Sequence, residues 1–268
     1  METRVQQGEL RSEAPIGIID SGVGGLTILK EIQRELPAES LIYIGDTANC
    51  PYGSKHPAEI YRLTTILVDS LIARGAKAVV IACNTISVNC IQQLRADYPA
   101  IPFIGAAPAI KPAAAMSTRK RIGILSTVAT AESSYQAGLI AQFADGCDVL
   151  NLGTNELVPL IERADWNGGL SAVFARISEP FKDPEGAGLV LARSHYPIIR
   201  AQIEQEMGDG VQVVDSGAAI ARQVRRVLER ESLLAIGECP TYEFRDTAGS
   251  PTFREIIDYL DIRIGVAA

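Results

Sequence analysis

The chain has 268 residues, 47% of them apolar and 21% charged, with a formal net charge of −7. This is enough for two small α/β domains, and it excludes a disordered chain. An acidic sequence without a Lys/Arg run has no electrostatic reason to seek a nucleic-acid backbone, and no stretch reaches the ~18 apolar residues of a membrane helix.

Five scattered cysteines (Cys50, Cys83, Cys90, Cys147 and Cys239) and two histidines fit neither a disulfide framework nor a zinc site. We therefore expect a soluble, cytoplasmic protein. Residues 1–14 are polar and of mixed charge and read as a loose tail.

From there, short β-branched runs alternate with helical periodicity. Strands are predicted at 16–19, 41–44, 78–81, 103–104, 121–125, 148–151, 189–191 and 211–214. Helices are predicted at 26–35, 57–74, 87–97, 135–143 and 218–231. This is the rhythm of parallel α/β sheets. Ile16-Gly17-Ile18-Ile19 echoes Ile122-Gly123-Ile124-Leu125 at an offset of 122 − 16 = 106. Val79-Val80-Ile81-Ala82-Cys83 echoes Leu189-Val190-Leu191-Ala192-Arg193 at 193 − 83 = 110. Two offsets this close predict two similar open parallel-sheet domains, related by a pseudo-twofold, with a cleft between them. We place residues 15–111 with 216–268 in the first domain and 112–215 in the second.

In open parallel sheets, ligands sit beyond the carboxyl ends of strands. Those ends carry Asp20-Ser21, Asp46-Thr47, Cys83-Asn84-Thr85, Ser126-Thr127 and Arg193-Ser194-His195. The glycine-rich turn Gly22-Val23-Gly24-Gly25 can serve an anion at a helix N-terminus or simply turn the chain, and it lacks the third glycine of a dinucleotide fingerprint. Cys83 precedes a helix start, where a thiol is expected to have a lowered pKa and to act as a base. A cysteine at a strand end is also often just a small hydrophobe. His195 is either structural or a proton-exchanging group. Glu162 reads by default as a solvated carboxylate at a helix end.

The strings Ile18-Ile19-Asp20-Ser21-Gly22-Val23-Gly24-Gly25, Gly45-Asp46-Thr47-Ala48-Asn49-Cys50-Pro51-Tyr52-Gly53 and Ala82-Cys83-Asn84-Thr85 together resemble the glutamate racemase family. So do Leu157-Val158-Pro159-Leu160-Ile161-Glu162, Ser194-His195-Tyr196-Pro197 and Asp215-Ser216-Gly217. The matches run in order from about Ile16 to Phe253. The resemblance implies an enzyme without pyridoxal phosphate or metal, acting on a small anionic amino acid or carboxylic acid held between two α/β domains. In that family two cysteines flank the substrate Cα, one removing a proton and the other returning one. The resemblance implies Cys83 as the first cysteine and Asp20 as its assisting acid. Ser21, Tyr52, Gly53, Asn84, Thr85, Thr127 and Ser194 would grip substrate, with His195 and Glu162 helping the second cysteine. It also leaves a homodimer open, since the family often forms dimers.

The second cysteine is absent. Where the family reads Gly-Cys-Thr-His-Tyr-Pro, this chain has Ala192-Arg193-Ser194-His195-Tyr196-Pro197. Upstream, the common Ala-Cys-Pro is Gly153-Thr154-Asn155. An arginine keeps its charge, so it is a poor acid or base but a good carboxylate grip. Three readings follow: a one-thiol enzyme in which Arg193 and His195 hold the anion, a racemase with a substitute second group, and a binding or regulatory paralogue without catalysis.

Overall fold

The computed structural model describes residues 11–165, 169–181, 187–237 and 239–264, so most of the expected N-terminal tail lies outside the described residues. The first sheet contains β1 (Ile16–Asp20), β2 (Leu41–Gly45), β3 (Ala78–Ile81), β4 (Phe103–Gly105) and β9 (Tyr242–Asp246), in the order β4-β3-β1-β2-β9. The second contains β5 (Arg121–Ser126), β6 (Asp148–Gly153), β7 (Ala187–Leu191) and β8 (Val211–Val214), in the order β6-β5-β7-β8. Every pairing is parallel. The internal repeat is real: β1 and β5 occupy equivalent central places, as do β3 and β7. The chain thus forms two α/β domains of the same strand order, the first extended by β9.

The helices are α1 (Leu26–Glu35), α2 (Pro57–Ala73), α3 (Asn84–Asp97), α4 (Ile110–Met116), α5 (Val128–Ala131), α6 (Ser134–Phe143), α7 (Leu157–Glu162), α8 (Gly169–Ser178), α9 (Arg200–Met207), α10 (Gly217–Arg230) and α11 (Pro251–Tyr259). Helices cover both faces of each sheet, which is why the central strands are apolar on both sides. Leu67, Val68 and Leu71 of α2 and Ile86, Cys90 and Leu94 of α3 pack on one face of the first sheet, with Ile19, Val79 and Ile81. On its other face, Leu29 and Ile32 of α1 and Val224 and Leu228 of α10 join a core that continues into Leu125, Ile161, Phe174, Leu189 and Tyr196 of the second domain. One apolar core therefore joins the two sheets and fixes how their strand tips face. No described helix is long and apolar enough to cross a membrane.

The predicted strands are found, several extended by one or two residues. The third predicted helix starts at Asn84, not at residue 87. Cys83 is extended and caps the helix, while Ser87 Oγ donates to the Ile81 carbonyl and accepts from Ala106 N–H, so its polarity ties the first turn of the helix to the ends of β3 and β4. The sequence reading missed β9. Its charges alternate with aromatics and it lies at a sheet edge, half-buried, so it lacks the apolar run of a central strand.

Below the first sheet, Lys77 is fully buried and pairs with Glu39 at 2.5 Å, while its ammonium also donates to the Ser12 carbonyl. Glu39 accepts in turn from Ala235 N–H at 2.8 Å. Removing one partner strands a buried charge. Lys77→Met is expected to lower unfolding free energy by about 3–5 kcal/mol in urea titration, and Lys77→Met with Glu39→Leu to recover much of that loss. Equal midpoints for parent and single variant would refute this.

Candidate active site

The tips of β1 and β3 deliver side chains to one region. Asp20 ends β1, fully buried, with Oδ1 accepting from Gly22 N–H at 2.8 Å and Oδ2 from Ser194 Oγ at 3.0 Å. The Ser21 hydroxyl lies 3.5 Å from Asp20 Oδ1 and 3.4 Å from Cys83 Sγ, so thiol, hydroxyl and carboxylate form a continuous proton path. Cys83 is only 4% exposed. Burial, then the charge of Asp20, push its thiol pKa up, against smaller lowering by the Ser21 hydroxyl, the Ile86 N–H and the Arg193 charge. The lowered thiol pKa expected from the helix N-terminus is thus corrected: at this depth of burial, desolvation wins over the helix.

The second domain supplies the facing wall. His195 follows β7 and is 1% exposed; its Nε2 sits 2.5 Å from Glu162 Oε1 at the end of α7. Glu162 also accepts from Val23 N–H at 3.1 Å and from Cys50 Sγ at 3.8 Å. Burial alone would raise the Glu162 pKa, but the hydrogen bond and charge of His195, with Val23 and Cys50, bring it below the usual value. Glu162 is therefore no free helix-end carboxylate.

The glycine turn lets these walls meet. A Cβ on Gly22 would fall 2.1 Å from Glu162 Oε1, and one on Gly24 would fall 2.5 Å from both His195 Nδ1 and Ser194 Oγ. Only glycine permits that approach. Further bonds cross the cleft: Asn84 Nδ2 donates to the Ala192 carbonyl at 2.8 Å, and Thr27 Oγ1 to the Ser194 carbonyl at 3.1 Å.

Between the domains lies a cavity of about 490 Å³, lined by Val23, Thr47, Cys50, Gly53, Thr127, Asn155, Val158, Glu162, Arg193 and Thr252, among others. A smaller space of about 170 Å³ shares Gly53 with it and reaches Asn84 and Thr85. A larger concavity, about 880 Å³, lies outside the cleft around Arg95, Phe103, Val227 and Arg230 and gathers none of these groups. Arg193 is 8% exposed, lines the interdomain cavity, and has no partner for its buried Nε among the described residues. A guanidinium at a cavity wall can hold an anion.

Other sequence candidates land differently. Tyr52 lies in the core with its hydroxyl bonded to Asp46 at 2.5 Å, so only neighbouring Gly53 meets the cavity. Thr127 lines the cavity and caps α5, accepting from Thr130 N–H. Asp46, a strand-tip acid in the sequence, accepts from Asn49, Tyr52 and Thr247 and anchors its loop. The sequence reading gave Cys50 no role, although the structure puts it in this cavity. Cys50, Glu162 and His195 offer metal-type donors within 4.8 Å of one another. The 2.5 Å contact between His195 and Glu162 is too short for two ligands at tetrahedral angles around one ion, and it fits a shared proton.

The sequence profile of the Asp/Glu/Hydantoin racemase family matches residues 16–224. Glutamate racemase from Pseudomonas paraeruginosa is 38% identical over 248 residues, spanning 92% of this chain and 94% of that protein. Among solved structures, glutamate racemase isoform RacE1 from Bacillus anthracis matches at TM-score 0.83 and 28% identity, covering 95% of this chain and 97% of that one. Escherichia coli glutamate racemase, solved with L-glutamate and the activator UDP-MurNAc-ala, matches at TM-score 0.80 and 32% identity, over 92% and 94%. The chain belongs to the Asp/Glu/Hydantoin racemase family and is an isomerase of the racemase type.

Burial raises the Asp20 pKa, only partly offset by the His195 charge and the Gly22 and Ser194 hydrogen bonds. As pH rises from about 4, the unfolded chain releases this proton first, and the folded state loses stability until the buried carboxyl ionises too. Asp20→Asn is therefore expected to be more stable than the parent at pH 8, with the gap closing toward pH 4. Parallel stability curves across that range would refute it.

Proposed function

We propose that this chain interconverts the enantiomers of glutamate without a cofactor, by removing and returning the Cα proton between its two domains. In this reading Cys83, once deprotonated through Ser21 toward Asp20, takes the Cα proton. Electron density moves into the substrate α-carboxylate, and a proton is returned on the opposite face from the wall that holds Glu162 and His195. Arg193 grips a substrate carboxylate bidentately and stabilises the enediolate charge. Asn84, Thr85, Gly53, Thr127 and Ser194 orient the amino acid. Tyr52 keeps its loop in place from beneath.

The observation that carries this reading is the continuous Cys83–Ser21–Asp20 path, joined through Ser194 to the wall that holds the Glu162–His195 pair, with Glu162 and Arg193 of that wall lining the interdomain cavity. A pocket of a few hundred Å³ suits a small amino acid. We take residues 15–111 with 216–268 as one domain and 112–215 as the other, a division that keeps each sheet within one unit. Nothing in the site favours a paralogue that has lost catalysis. The one-thiol alternative draws on Arg193, whose permanent charge at the cavity wall suits an enzyme that only stabilises an anion.

Incubation with L-glutamate, then D-glutamate, in deuterated water separates the two readings. A racemase gives inversion with deuterium at Cα, whereas one-thiol chemistry gives exchange with retention or loss of carbon dioxide. Cys83→Ala is expected to lower turnover by about 10²–10⁴-fold. Arg193→Ala is expected to raise KM by roughly 10–100-fold, the loss of a charged hydrogen-bonding grip. Unchanged turnover in Cys83→Ala would remove the thiol from the reaction.

A further inference from the structure

The Glu162–His195 pair stands where the resemblance places helpers of a second thiol, yet position 193 of its own domain holds an arginine. A different sulfur occupies the space beside the pair. Cys50, in the loop after β2, lines the interdomain cavity and places Sγ 3.8 Å from Glu162 Oε1. The remaining cysteines are elsewhere: Cys90 is in the first-domain core, Cys147 packs beside the second-domain core, and Cys239 is exposed.

We propose that Cys50 is the second catalytic thiol, supplied by the first domain to the wall where Arg193 has displaced the usual one. The inference rests on the racemase reading above and extends it to the group that returns the proton.

Three features support it. The loop is rigidly held: Asp46 accepts from Asn49 Nδ2 at 3.0 Å, from the Tyr52 hydroxyl at 2.5 Å and from Thr247 Oγ1 at 2.7 Å. Gly22 leaves room for the sulfur, since a Cβ there would lie 3.3 Å from Cys50 Sγ. Arg193 lines the same cavity and brings a permanent positive charge to it, which suits an anion. Burial and the Glu162 charge hold the Cys50 thiol protonated, the form a proton donor needs, while the Arg193 charge works in the opposite direction and eases its ionisation.

The step balances. Cys83 thiolate takes the Cα proton on one face and becomes a thiol. The Cys50 S–H bond breaks as a C–H bond forms on the other face, leaving a thiolate beside Arg193. To reset the enzyme, Cys83 releases its new proton through Ser21 toward Asp20 and solvent while Cys50 regains one through the Glu162–His195 pair. The reverse reaction starts from Cys50 thiolate and Cys83 thiol and runs the same transfers backwards.

Full-length parent, Cys50→Ala, Cys50→Ser and Cys83→Ala are compared in deuterated water with each glutamate enantiomer. Both Cys50 variants are expected to lose inversion by about 10²–10⁴-fold with KM within about threefold. They should still exchange the Cα proton of one enantiomer with retention, which also shows that they are folded. Cys83→Ala should exchange only the other enantiomer. A parent that inverts glutamate while Cys50→Ala keeps its rate within about threefold overturns this inference and leaves the racemase reading standing. A parent that neither inverts nor exchanges either enantiomer overturns both.

Discussion

The hydroxyl of Ser194 donates to the carboxylate of Asp20, and that bond joins the tip of β7 to the tip of β1. Around it, Asn84 reaches the Ala192 carbonyl, Thr27 reaches the Ser194 carbonyl, and two glycines bring the backbone against Glu162 and His195. A shared apolar core sets the orientation of the two sheets. Hydrogen bonds at the strand tips then pin that orientation at the site. Without the apposition, the acid, thiol and histidine would be isolated groups on two separate domains.

The same closeness governs the electrostatics. Two carboxylates, two thiols and an imidazole lie close together, with Asp20, Cys83 and His195 buried and Glu162 and Cys50 at the cavity wall. Each ionisation is therefore costly alone and cheaper when a neighbour compensates. Glu162 stays ionised because His195 and backbone groups answer it, whereas Asp20, deeper and less well compensated, holds its proton more tightly. An arginine in this setting supplies permanent positive charge in a net acidic protein, where an anionic substrate most needs it.

Much of the molecule could be read from residue order. The apolar runs at Ile16, Ala78, Arg121 and Leu189 announce central parallel strands because both of their faces are covered. The echo between Val79–Cys83 and Leu189–Arg193 marks equivalent places in two domains. β9 was missed because an edge strand needs only one protected side and therefore carries charge. The pKa of Cys83 was misjudged because a capping position is visible in sequence, but the depth of burial above it is not. Cys50 stayed silent for a similar reason. Its neighbour Glu162 lies 112 residues away, and no local spacing encodes that meeting. Its place in a loop beside the strand-tip acid Asp46 was the available signal.

The last helix begins beside the cleft: Thr252 Oγ1 donates to the Glu162 carbonyl, and Thr247 bonds to Asp46. The stretch from β9 into α11 thus braces both loops that flank the cavity. A nick or insertion within 247–252 would therefore slacken the rim of the cavity while leaving in place every group that handles the proton.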